Sequence, residues 1–323
     1  MSGTMRAISA HAEQLIPRRQ SYVAPAALLA AGLLLAVSTN LAKVAQGIGI
    51  TPLAYLTWSL VGATLLLTAV SYARGQIAKV NRRSVEYFAV SGLLGVAGSN
   101  LIFFNAVAHL GVSFVALMLS LPPLLTYAGA LILRMETFCW WRATGVVLTL
   151  AGTAYLVSTK WAAPDADTAW ILLTLIGPVL LSAGNLYRTR RWPPGATAES
   201  LAPGMLLGAI AILVAFALVP GWSLAVPSES TFAVPLIATQ ATVFAGQFLL
   251  LFVLQKAGGP VFLSLMGGVS AVFGVPIAML LLAEPALPAI LPSAILIAAG
   301  IVLMLLGVMA CQRRITQLPR NCR

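Results

Sequence analysis

The chain has 323 residues, 60% of them hydrophobic and 8% charged, with a formal net charge of +11 and a mean hydropathy of +0.95. A soluble domain carries about 25% charged residues, and a water-facing surface for a chain this apolar cannot be assembled from so few polar groups. The composition excludes a water-solvated globule, and the positive charge, dispersed in short breaks between apolar tracts, reads as membrane topology rather than as a nucleic-acid footprint.

Residues 1–22 form a basic tail ahead of an apolar tract long enough to span hydrocarbon, which needs about 20 residues. With further tracts following, it reads as an uncleaved first span rather than a signal peptide. The uncharged stretches predict helices over 23–45, 51–73, 84–108, 112–134, 139–159, 168–188, 199–219, 231–255, 260–282 and 286–310. The third and fourth come from one uncharged tract, Tyr87–Leu133, divided at the turn His109-Leu110-Gly111. Alternating ten-residue strands of a membrane barrel are absent. Short loops rich in Gly, Pro and Arg separate the spans, the longest external one being Lys160–Asp167, and residues 311–323 form a basic tail. If the N-terminus is cytoplasmic, every basic residue except Lys43 and Lys160 falls on the cytoplasmic side. That bias predicts both termini inside, an even number of spans and an inner-membrane location. Cys139, Cys311 and Cys322 have no metal-ligand spacing and are expected to be idle thiols in a reducing compartment.

Sliding the chain by 148 residues reveals a repeat. Ala97, Gly98, Leu101, Phe104, Gly111, Phe114, Ala130 and Glu136 meet Ala245, Gly246, Leu249, Phe252, Gly259, Phe262, Ala278 and Glu284; Ala151-Gly152 meets Ala299-Gly300. A weaker match sets Asn40 and Lys43 on Asn185 and Arg188. The expected organisation is therefore an all-α membrane protein of ten transmembrane helices in two five-helix repeats, 23–160 and 161–310. Five is odd, so the two copies cross in opposite senses, a construction that recurs in secondary transporters.

These features resemble the EamA-type, ten-helix branch of the drug/metabolite transporter superfamily: an Asn and a basic residue late in the first helix of each half, a Glu ending each fourth helix (Glu136, Glu284), and a Gly-bearing last helix (Gly152, Gly300). Within that branch the chain looks like a bacterial amino-acid exporter of the YddG type. The resemblance implies export of metabolites, amino acids among them, through a central cavity between the halves. It implies that helices one to four and six to nine line or gate that cavity, with five and ten peripheral and able to meet those of neighbouring copies.

Polar groups deep in a span face protein or water rather than lipid. By that rule the candidate substrate-binding residues are Asn40 and Lys43 (beside Ser38 and Thr39), Trp58, Asn100, Asn105, Tyr127, Asn185, Tyr187, Gln240 and Gln247. Each has a structural alternative. A membrane Asn or Gln often bonds a neighbouring helix, and Lys43 either snorkels outward or faces an anionic solute. Trp58 either packs in the core or touches a solute side chain, and His109 is read as a solvated loop residue. Glu136 and Glu284 are read as structural caps, each supplying a carboxylate to free N–H groups of the helix that follows.

Eight acidic residues and two histidines are scattered, with no HxxxH, DxxxD, GxSxG or Walker pattern. No enzyme activity, cofactor or metal is expected. The leading reading is a secondary exporter of amino acids, aromatic and neutral ones included, or of similar small metabolites, by alternating access. Its alternatives are export of drugs, an intramembrane lipid-modifying enzyme, and a channel. The expected partners are a small-molecule substrate and membrane lipids, with monomer and homodimer both open.

Overall fold

The computed structural model describes the backbone of residues 2–76, 80–161, 167–227, 231–284 and 288–317, and the side chains of 25–76, 80–159, 161, 167–227, 231–284 and 288–307. Among the described residues every regular element is helical: α1 (Ser2–Gly47), α2 (Pro52–Ala73), α3 (Arg82–Gly92), a π-helical turn (Leu93–Ala97), α4 (Gly98–Leu110), α5 (Val112–Met118), α6 (Pro122–Ile132), α7 (Trp140–Trp161), α8 (Thr168–Arg190), α9 (Ala198–Phe216), α10 (Ala233–Leu281) and α11 (Ile290–Gln317). Eight stretches are long and apolar enough to cross a membrane, with α3 to α4 and α5 to α6 each forming one. They fit a multi-pass membrane protein.

Local chemistry sets the helix starts. Thr51 accepts the Ala54 N–H ahead of Pro52, which sits in the first turn of α2 where its missing N–H costs nothing. Asn81 caps α3, Asp167 caps α8 through the Trp170 N–H, and Thr197 and Ser200 form a reciprocal cap on α9. Of the expected external loop Lys160–Asp167, residues 162–166 lie outside the described residues. His109, expected to be solvated, stacks on Trp170 at 4.2 Å between centroids and lies 3.4 Å from the Asp167 carboxylate, tying the end of α4 to the start of α8.

Two glycines bend the chain in the same way. Gly111 (φ 85°, ψ 162°) separates α4 from α5, and Gly259 (φ 72°, ψ −172°) breaks the 49-residue α10 just before Pro260. Both are conformations open to glycine and strained for any residue with a Cβ. Further on, the Glu136 amide bonds the Ala130 carbonyl at 3.3 Å and the Glu284 amide bonds the Ala278 carbonyl at 3.1 Å. The left-handed residues Arg134 and Ala283 stand in these two turns.

The core lies where α1 runs along α10, with α2, α5 and α6 also against α10, and α3 and α2 against α9. The α7 and α11 helices pack chiefly on each other at the outside of this bundle. A methyl group on Gly145 would lie 2.5 Å from the Gly300 carbonyl oxygen, and one on Gly152 would lie 2.9 Å from the Ser293 carbonyl oxygen. Small residues thus let the two backbones touch, which is how membrane helices associate without a hydrophobic driving force. The helices expected as the fifth and the tenth therefore meet within one chain. Cys139, next to α7, is disulfide-bonded, contrary to the expectation of idle thiols: spacing along the chain does not show which cysteines the fold brings together.

Candidate solute pathway

Ten polar positions were expected to converge, and they separate into local groups instead. On the α1–α2–α10 boundary the Tyr55 hydroxyl donates to Gln240 Oε1 (3.2 Å), and Gln240 Nε2 donates to the Ser38 hydroxyl (2.5 Å). Gln240 and Ser38 have no solvent exposure, so this chain holds three helices together by bonds that cannot exchange with water. Asn40 Nδ2 donates to the Ala36 carbonyl and across to the Gly274 carbonyl of α10 (2.9 and 3.3 Å). Asn100 and Asn105 turn back onto their own helix, to the Val96 and Leu101 carbonyls. Gln247 is buried, and its Oε1 has no partner. Lys43 is half-buried.

Three expected residues bond away from the cavity described below. Trp58, read as a core or solute-facing residue, is 44% exposed and donates its indole N–H to the Leu224 carbonyl in the segment between α9 and α10. It lies only two turns into α2, near the span end, where an indole has both apolar and polar neighbours. The Tyr127 hydroxyl accepts the Cys139 N–H at 2.8 Å, and the Arg142 guanidinium lies 5.9 Å from its ring. Tyr187 stacks on Tyr87 and bonds Glu86 (3.4 Å).

A narrow cavity opens where four elements meet. Leu35 of α1, Leu119 and Pro122 at the α5–α6 junction, Leu181, Asn185 and Arg188 of α8, and Leu251, Leu263, Ser264, Met266 and Gly267 of α10 line it. Its interior is about 30 Å³, room for a water or two. Of the ten expected residues, Asn185 alone lines it.

The residue that sequence reasoning missed is Arg188. Counted among the cytoplasmic loop charges, it is in fact fully buried. Its Nη2 donates to Asn185 Oδ1 at 2.5 Å and its Nε to Gln255 Oε1 at 3.3 Å, while Gln255 Nε2 is held by the Asn185 carbonyl and Thr189 Oγ1. Its Nη1 has no hydrogen-bond partner. The guanidinium sits in a slot between Gly95 of the π-helical turn and Gly184: a methyl group on Gly95 would collide with Nη1, and one on Gly184 would lie 3.3 Å from it. Among the described residues no carboxylate pairs with Arg188; the ion pairs are Arg74–Glu199 and Arg142–Glu136, and His109 contacts Asp167. The usable sequence signal was the match of Asn185…Arg188 to Asn40…Lys43, which places Arg188 one turn from a buried Asn.

The two glutamates differ from their expected role and from each other. Glu284 does cap a helix, but not the following one. Its Oε2 accepts the Ser113 N–H (2.9 Å) and the Ser113 hydroxyl (2.8 Å) at the start of α5, beside Gly111. Glu136, 148 residues earlier, instead receives Arg142 Nη1 at 2.7 Å. The glycine that corresponds to Gly111, Gly259, has open space around it.

Residues 24–158 match the model of the EamA-like transporter family. A solved crystal structure of a protein 19% identical in sequence superposes with a TM-score of 0.65, over 88% of this chain and 98% of that one, a likeness of fold. No curated protein matches the chain.

Proposed function

We propose that this chain is an inner-membrane secondary transporter of ten spans, built as two inverted five-helix halves with both termini cytoplasmic. It exports amino acids or similar small metabolites by alternating access. The match of residues 24–158 to the EamA-like transporter family supports the transporter reading. The count of ten takes α7 as the fifth span and divides α10 at Gly259 into the eighth and ninth. The repeat is supported by positions 148 apart that share a backbone: Gly111 with Gly259, and the Glu136 and Glu284 amides that return to Ala130 and Ala278. It is supported too by reciprocal contacts of α7 and α11. Gly145 meets Gly300, the counterpart of Gly152, and Gly152 meets Ser293, the counterpart of Gly145; such exchange of partners is the mark of a two-fold relation.

One observation carries alternating access. At one end Glu284 fastens the start of α5 beside Gly111. At the corresponding place in the other half, Glu136 is held by Arg142 and Gly259 is bare. Two equivalent halves in unequal states are what a carrier shows when one mouth is shut. In the proposed topology the fastened end is external, so the chain stands closed outward. Facilitated diffusion or exchange is the energy source that requires no nucleotide site.

Counterflow in liposomes tests this. Vesicles preloaded with unlabelled amino acids should accumulate a labelled one saturably, with competition by related amino acids. Flat traces across neutral, aromatic and charged amino acids would remove the amino-acid reading.

A further inference from the structure

Arg188 is costly where it stands. A guanidinium inside the apolar region of a membrane protein is stable only when paired or hydrogen-bonded, and unpaired ionisable groups there mark solute paths. Two of its three nitrogens have neutral amide partners, and the third has none. Gly95 and Gly184 leave room for the guanidinium, and the π-helical turn that contains Gly95 is a geometry found mostly at functional sites. Arg188 also lines the cavity, whose wall is mostly aliphatic, with Leu35, Leu119, Leu181, Leu251 and Leu263, and otherwise polar only at Asn185 and Ser264 among the described residues. Among the described residues no Asp or Glu lines it. The cavity therefore offers one positive charge, an aliphatic wall and no negative charge.

We propose that Arg188 is the anion anchor of the transport site, and that the site takes a small monocarboxylate with a branched or aliphatic body whose amino group, where it has one, is not read. This rests on the transporter reading above and names its substrate class. In the open state of the carrier a carboxylate oxygen supplies the partner that Nη1 lacks, through one charge-assisted bond, since Nε and Nη2 are already held by Gln255 and Asn185. Asn185 and Gln255 orient the guanidinium from behind and are positioning residues. An ammonium group would find only neutral acceptors in this cavity and gains little; a cationic solute meets the uncompensated charge of Arg188 and is rejected.

The experiment compares three ligands of one carbon skeleton on the full chain in detergent, by the shift in thermal unfolding and by competition. They are 4-methylpentanoate (an anion), L-leucine (a zwitterion) and L-leucinamide (a cation). The two carboxylates should bind within about threefold of each other, and the amide roughly tenfold to hundredfold more weakly, the worth of a charge-assisted bond. Arg188→Gln should reduce the affinity of both carboxylates by that factor and leave the amide unchanged. Because that variant can fold poorly, the wild-type ligand series decides on its own. Equal binding of leucinamide, binding of leucine without 4-methylpentanoate, or binding of none of the three overturns the carboxylate assignment. Counterflow run in parallel separates the two claims: transport of other solutes with no carboxylate preference sinks the anchor alone, whereas carboxylate binding with no flux of any solute sinks the transporter reading alone.

Discussion

Replacing Glu284 by glutamine should loosen one end of the molecule by a calculable amount. The carboxylate Oε2 accepts both the Ser113 N–H and the Ser113 hydroxyl. Ser113 is 1% exposed, whereas Glu284 is only half-buried. A charged acceptor strengthens each bond to about 1.5–3 kcal/mol when buried, and a negative charge at a helix start adds about 0.3–1 kcal/mol. Glutamine keeps one acceptor oxygen and removes the charge, and partial exposure screens the difference. The net loss is about 1–2 kcal/mol, which corresponds to a roughly five- to thirtyfold change in an equilibrium constant. Hydrogen exchange over Gly111–Met118 in lipid nanodiscs reads that change as loss of protection at the start of α5. Glu136→Gln serves as control and should leave this segment unchanged, since Glu136 contacts Arg142. Unaltered exchange in Glu284→Gln, or equal effects of the two variants, would refute the idea that Glu284 fastens this end.

Gly111→Ala and Gly259→Ala both force a Cβ into a positive-φ conformation that only glycine adopts freely, costing about 1–3 kcal/mol. Gly111→Ala should lower the melting temperature further, because its methyl also strikes the Glu284 carboxylate whereas Gly259 faces open space. Gly300→Val drives a side chain into the Gly145 carbonyl and Thr149 of α7; overpacking of this kind costs about 1–3 kcal/mol, measurable as a lower melting temperature. Gln240→Leu strands the buried hydroxyl of Tyr55, and removes the amide that donates to Ser38. A loss of about 1–3 kcal/mol per stranded group should be partly restored by adding Tyr55→Phe, and absence of that rescue would show the bonds to be independent.

The helical architecture was legible because lipid imposes one rule, that backbone polar groups be satisfied within each span, and apolar length reports it directly. Expected and observed limits agree closely for α2, α8 and α9, whose caps are single residues visible in sequence. The turn at Gly111, within a tract too long for one span, and the break at Gly259, just before Pro260, were also foreseen, since glycine permits the required φ. Side-chain destinations were less legible. Asn100 and Asn105 satisfy themselves within their own helix, and nothing in composition separates that from lining a path. Trp58 depends on the segment around Leu224, which is 166 residues away. Arg188 was misread because a basic residue near a span end has two solutions, snorkelling into water or burial beside amides. The choice rests on Gly95, Gly184 and Gln255, residues of three different elements. Glu284 was recognised as a cap, but its target on α5 is fixed by tertiary packing.

The pairing of α7 with α11 has a consequence for the integrity of the whole chain. Each of these two helices contacts little of the bundle beside it and is fastened to the other. In the proposed two-half arrangement the halves are thus joined by the covalent connection between Trp161 and Asp167, by the core in which α1 and α2 run against α10, and by a glycine-lined clasp along Gly145, Gly152 and Gly300. A chain severed in that connection would still hold together, as two fragments recognising each other through backbone contact. If the proposed repeat arose by duplication and fusion of a five-helix ancestor, fusion made permanent an association that the core and the clasp together sustain.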